Sequence, residues 1–221
     1  MKRKLIVYDW DGTLGDTLIP TAMFFNDMFE KFGHVNNPIY PIPLEKEKIR
    51  RIFKAHTMTE FLIQNEFSEE ECQEVYSIYT RLFNSQKYPV RTFKGIKKLL
   101  KKINEKHRQQ ILSLNSAENI IPILEREGIS ISLFESVIGK EELEKNYGSE
   151  KSNYFIYLSK VESIPLREIY FVGDSNYDLE SALESGVNFI GVNYGWGRFK
   201  ENNGFPVASS PKRLSEILTI L

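Results

Sequence analysis

Leu5-Ile6-Val7-Tyr8 runs without a break into Asp9-Trp10-Asp11-Gly12-Thr13, and this junction limits what the chain can become. A short run that is apolar at every position suits a strand buried on both faces, the condition of a strand inside a parallel sheet. In such sheets, ligands bind beyond the carboxyl ends of the strands, which is where Asp9 stands. Two carboxylates this close repel each other, and an unpaired buried charge is costly. A divalent cation relieves both problems. Magnesium takes oxygen ligands and keeps several waters, so a few carboxylates and a substrate phosphate suffice. Gly12 permits an unusual backbone angle, and the Thr13 hydroxyl can orient a carboxylate or donate to a phosphate. Taken alone, Asp-Gly is also an ordinary turn former.

A second acidic loop separates these readings. Ile169-Tyr170-Phe171-Val172 leads into Gly173-Asp174-Ser175-Asn176-Tyr177-Asp178. Again an aspartate ends an apolar run, and Asp178 follows at i+4, on the same side of the next helix's first turn. Asp174 or Ser175 also suits a helix cap, with Asp178 favoured by the helix dipole. Capping and metal binding are compatible. Two strand-end acidic pairs point to one shared magnesium site.

The rest of the chain divides in two. From Thr17, Ile19, Met23, Phe24, Met28, Phe29 and Phe32 line one side of a helix that should stop near Gly33. Asn36 to Pro43 reads as a loop, followed by helices near 45–53, 58–65 and 69–83. Ser68 with Glu71 forms a capping box for the last. After a return linker from Tyr88 to Phe93, strands and helices alternate. Strands are expected at Gln110–Leu112, Phe134–Ile138, Ile169–Val172 and Phe189–Val192, with helices between them and at the C-terminal end. This pattern argues for an open parallel sheet covered on both faces. The helices between Thr17 and Phe83 have no strand partners, so they read as a lid inserted after the first strand.

Composition removes several functions. With 29 Lys and Arg against 30 Asp and Glu, the formal charge is -1. That balance gives no general field for nucleic acid or an anionic membrane, and no basic stripe carries interleaved aromatics. A single cysteine, Cys72, rules out an intrachain disulfide and a clustered-thiol metal site. The basic Met1-Lys2-Arg3-Lys4 precedes an apolar run that Asp9 and Asp11 cut too short for a signal peptide. No stretch reaches the ~18 apolar residues of a membrane span. The expected location is cytoplasmic.

Asp9-Trp10-Asp11-Gly12-Thr13-Leu14 and the 173–178 loop together resemble the motifs of the haloacid dehalogenase-like hydrolase superfamily. The likeness is to the phosphoglycolate-phosphatase-like members with a helical cap. It implies an α/β, Rossmann-like core with a parallel sheet in strand order 5-4-1-2-3 and an inserted helical cap. The expected domains are 1–17 with 89–221 for the core and 18–88 for the cap. By the same resemblance Asp9 is the nucleophile, and Asp11 is the general acid and base. Asp9, the carbonyl of Asp11, Asp174 and Asp178 would serve a magnesium ion. Ser113 would hold a phosphate oxygen, with Thr13 and Asn115 as further substrate contacts. Asn115 stands one place later than the family's usual asparagine, because Leu114 intervenes. Lys151 is the expected charge-balancing lysine, and Lys140 is its rival.

The implied activity is a magnesium-dependent phosphatase acting on a small-molecule phosphate monoester through an aspartyl phosphate. A sugar phosphomutase and a non-enzymatic regulatory relative are the alternatives. Dehalogenase relatives lack an equivalent of Asp11, whose presence favours phosphotransfer. Specificity is expected partly from the cap, where His56, with Thr57 and Thr59, either meets the substrate or faces solvent. The loop 193–198 is expected to flank the site's mouth, with Trp196 as an anchor or a substrate wall.

Overall fold

The computed structural model describes residues 3–53, 58–82, 87–200 and 204–221. Among these the chain forms two compact units: 1–16 with 91–221, and 17–90.

The first unit is an α/β core. Its strands are β1 (Leu5–Tyr8), β2 (Gly15–Asp16), β3 (Arg91–Thr92), β4 (Arg108–Leu112), β5 (Ser136–Ile138), β6 (Ile169–Gly173), β7 (Asn188–Val192) and β8 (Val207–Ala208). The parallel sheet runs β5-β4-β1-β6-β7-β8. Its first five members have the expected 5-4-1-2-3 order read from the other edge, and β8 extends it by one strand. All four residues of β1 are buried, as its unbroken apolar run requires at the centre of the sheet. The strand expected from Phe134 is shorter, because Ile131–Leu133 forms a 3-10 turn for which Phe134 is the C-cap.

Between these strands lie α5 (Ile96–Asn104), α6 (Ala117–Arg126), α7 (Lys140–Tyr147), α8 (Lys151–Glu162) and α9 (Asn176–Ser185), with α10 (Pro211–Thr219) near the end (α1 to α4 lie in the second unit and are given below). Ile96, Leu99, Leu100 and Ile103 form the buried stripe of α5. Ser116 caps α6 by accepting from the Glu118 N–H, and Ser175 with Asp178 makes a full capping box on α9. One continuous apolar core joins strand residues Val7, Leu112, Ile138 and Phe171 to Leu143 of α7 and Tyr154, Phe155 and Leu158 of α8. β2 and β3 pair antiparallel, Gly15 with Thr92 and Asp16 with Arg91. This ribbon brackets the point of chain insertion.

The inserted unit contains α1 (Leu18–Lys31), α2 (Lys46–Ile52), α3 (Met58–Gln64) and α4 (Glu69–Leu82). Its interior is aromatic. Phe25, Phe53 and Phe61 pack mutually, with Phe53 stacked on Phe61 at 4.3 Å. Phe29 meets Phe67 edge-on, and Phe24 meets Tyr79 and Tyr88 in the same way. The buried side of α1 includes Leu18, Ala22 and Phe25, whereas Ile19, Met23 and Phe32 are only half-buried. The expected face is therefore rotated. Asn26 secures the following loop by donating to Ile42 O and accepting from Ile42 N. Among the described residues, no helix is long and apolar enough to cross a membrane.

Phe155 is fully buried and its ring lies 4.9 Å from that of Phe171. Phe155→Ala should lower the unfolding free energy by about 3–5 kcal/mol in a urea titration followed by tryptophan fluorescence.

Candidate active site

The end of β1 carries the first acidic loop. Asp9 N–H donates to Val172 O at 2.9 Å, so the chain stays in the sheet until the carboxylate is reached. It then folds back sharply. Thr13, Leu14 and Gly15 all donate their N–H to Trp10 O, and Gly12 N–H donates to Gly15 O. Gly12 takes a φ of +79°, and a Cβ there would collide with the Asp174 carboxylate. Thr13 Oγ1 is buried and makes no hydrogen bond among the described residues. An unpaired buried hydroxyl is unfavourable unless a ligand completes it.

The end of β6 carries the second loop. A Cβ on Gly173 would lie 2.5 Å from the Asp178 Cβ, so glycine is what lets α9 begin so close to the strand. The Asp178 carboxylate is held on both sides. Its Oδ2 accepts from Ser175 N–H at 3.1 Å and Ser175 Oγ at 2.6 Å. Its Oδ1 accepts from the Lys151 ammonium at 2.7 Å. Asp174 Oδ2 accepts from the backbone N–H groups of Trp196 and Gly197.

Lys151 is the first residue of α8 and is buried. Its Nζ lies 2.7 Å from Asp9 Oδ1 and 2.7 Å from Asp178 Oδ1. Lys140, at the start of α7, is partly exposed and lies 3.5 Å from Glu144. Of the two candidate lysines, Lys151 is the one beside Asp9.

One ammonium thus pairs with two carboxylates, and a third, Asp174, is clustered with them. Ligand atoms of Asp9, Asp174 and Asp178 lie within 4.8 Å of one another, all buried. Burial pushes the Asp9 carboxyl up to about 8, with the Asp178 and Asp11 charges adding and Lys151 opposing. Asp174 is pushed well above the usual carboxylate range, again by burial first and then by Asp9 and Asp178. These shifts mark negative charge that the protein's own cation does not balance. Clustered carboxylate oxygens are the donor set of a hard divalent cation such as magnesium, so the residues fit that ion.

The second strand end supplies polar groups. Ser113, buried after β4, accepts the Asn115 N–H on its Oγ at 3.1 Å. Accepting on a lone pair leaves the hydroxyl proton for another acceptor. Asn115 donates its amide to the Asp11 carboxylate at 3.2 and 3.4 Å. Asp9, Asp11, Thr13, Ser113, Asn115, Asp174 and Asp178 therefore all lie in the loops and first helical turns that follow the strand ends of the core, and Lys151 reaches Asp9 and Asp178 from the start of α8. His56 and Thr57 lie outside the described residues. Thr59 falls in α3.

The 193–199 loop has a part that sequence reasoning did not assign. Besides its two backbone donors to Asp174, Tyr194 Oη donates to Thr13 O at 3.1 Å. A Cβ on Gly195 would strike Gly12 O, and one on Gly197 would strike Asp174 O. Both acidic loops are thus packed against backbone that has no room for side chains. The glycines of Gly195-Trp196-Gly197 were the only signal in the sequence, and glycines serve many turns.

The haloacid dehalogenase-like hydrolase family profile matches residues 6–192. A phosphoglycolate phosphatase of Pseudomonas fluorescens is 26% identical over 96% of this chain and 75% of its own. A phosphoglycolate phosphatase of Vibrio parahaemolyticus is 24% identical over 99% of this chain and 96% of its own. A haloacid dehalogenase-like hydrolase from Streptococcus pneumoniae shares the fold. Its solved structure superposes with a TM-score of 0.78 at 19% identity, over 99% of this chain and 98% of that one.

The raised Asp9 carboxyl has a consequence for stability without metal. Between its ordinary value of 3.8 and about 8, the folded state binds the proton more tightly than the unfolded chain. Stability should therefore fall as pH rises through that window and level off above it. Thermal melts in chelator from pH 5 to 8 should show this decline, and Asp9→Asn should make it shallower, with Asp174 contributing the remainder.

Proposed function

The chain belongs to the haloacid dehalogenase-like hydrolase family, and from that premise we propose a magnesium-dependent phosphatase that hydrolyses a small-molecule phosphate monoester through an aspartyl phosphate on Asp9. The observation that carries this reading is the buried Asp9 carboxylate held by Lys151 within a cluster of three aspartates. Asp9 attacks phosphorus, forming its O–P bond as the ester O–P bond breaks. The departing alkoxide takes a proton from Asp11. Asp11 then removes a proton from water, which attacks the aspartyl phosphate and releases inorganic phosphate and free Asp9.

Lys151 fixes the Asp9 carboxyl group and keeps its charge supported during attack. Ser113 and Thr13 supply hydroxyls for the phosphoryl oxygens. Asp9 and Asp174, with Asp178 behind Lys151 and the Asp11 carbonyl, would hold the magnesium ion. When bound, that ion would neutralise phosphate charge and restore the ionised state of Asp9. The substrate class is supported by the names of the relatives, several of which are phosphoglycolate phosphatases.

A phosphate-release screen of metabolite monoesters with magnesium tests this reading. Asp9→Asn should abolish release, and chelation should do the same. Lys151→Met should lower kcat by at least about 100-fold, whereas Lys140→Met should stay within about threefold of the parent. Release that persists in Asp9→Asn, or that ignores chelation, contradicts the mechanism. Conversion of one sugar monophosphate into its isomer would instead identify a mutase.

A further inference from the structure

Asn115 sits in a loop where its backbone and side chain are both hydrogen-bonded. Its N–H donates to Ser113 Oγ at 3.1 Å, and its carbonyl accepts from Lys140 N–H at 3.1 Å. Gly139 lets that second contact form, since a Cβ there would crowd the Ala117 N–H and lie 3.0 Å from Asn115 O. The side chain is buried and equally constrained. Its Oδ1 accepts from Ser116 N–H at 2.9 Å and from Asn119 Nδ2 at 3.2 Å. Rotating the amide would point its NH2 at a backbone N–H and at a second amide donor. The orientation is therefore fixed, and Nδ2 is aimed at the Asp11 carboxylate across 104 residues of sequence.

We infer that Asn115 is a positioning residue for Asp11, and that Asn119 sets Asn115. This rests on the proposed role of Asp11 as proton carrier. The amide holds the Asp11 side chain in one orientation, so that its carboxyl stands ready for the leaving oxygen. Without the bond, the Asp11 carboxyl loses a contact that orients it, and proton delivery to the leaving group becomes less efficient.

Leaving-group dependence provides the test. The ratio kcat/KM reports steps up to formation of the aspartyl phosphate. An alkyl alkoxide needs a proton at that stage, and p-nitrophenolate scarcely does. Asn115→Leu, close in shape but without the donor, should lower kcat/KM for an alkyl phosphate hydrolysed in the screen by about 10- to 100-fold. For p-nitrophenyl phosphate the loss should be at least about fivefold smaller than for the alkyl phosphate. Asn119→Leu should give the same selectivity with a smaller loss, and the double variant should be little worse than Asn115→Leu. If Asn115→Leu does not fold, the selectivity of Asn119→Leu decides. Equal losses on both substrates, or no loss on either, overturn the inference while Asp9→Asn remains inactive. Activity in Asp9→Asn overturns the phosphatase reading itself, and the inference with it.

Discussion

The Lys151 ammonium, 2.7 Å from both Asp9 and Asp178, joins three parts of the chain that are distant in sequence. Asp9 ends β1, Asp178 lies in the first turn of α9, and Lys151 opens α8. A cation at a helix N-terminus opposes the helix dipole, and a buried lysine bears a desolvation penalty. Both costs are met only because two carboxylates converge on it. The pair of bonds raises the lysine's affinity for its proton, so the ammonium persists despite burial. Its loss would leave Asp9 and Asp178 buried without a counter-charge, which is the more damaging way to break a buried ion pair.

Yet one ammonium does not balance three carboxylates, and this residual charge organises the rest of the site. Asp174 draws two backbone N–H groups from the 196–197 segment, and those donors reach it only through glycines that permit close approach. Asp178 is held by its own capping box on one oxygen and by Lys151 on the other. What remains is an excess of buried carboxylate oxygen, together with a buried Thr13 hydroxyl that has no hydrogen-bond partner among the described residues. A divalent cation and a phosphate ester are together complementary to that arrangement.

Much of this could be read from the residues. Apolar runs ending in aspartate located β1 and β6, and their likeness to known motifs supplied the strand order. Other elements carried too little pattern. The strands β2, β3 and β8 are two residues each, too short to show a period. α7 buries only Leu143 among its eight residues and so lacks an apolar stripe. On α1 the aromatic residues are so dense that several faces look apolar, and packing against Phe53 and Phe61 selected the one containing Phe25. Lys151 and Lys140 both begin helices, and only the fold tells which one points at Asp9. The Asn115–Asp11 bond is likewise a product of topology, since parallel strand ends bring together loops with no local relation.

The proposed mechanism requires that Asp9 become covalently phosphorylated. Acid-quenching the enzyme during turnover of a phosphate monoester, followed by peptide mass spectrometry, observes this directly. A phosphoryl adduct is expected on the peptide containing Asp9, lost on neutral or alkaline hydrolysis and absent from Asp9→Asn. Turnover with no adduct on that peptide, or with the phosphoryl group on Ser113 instead, would contradict it.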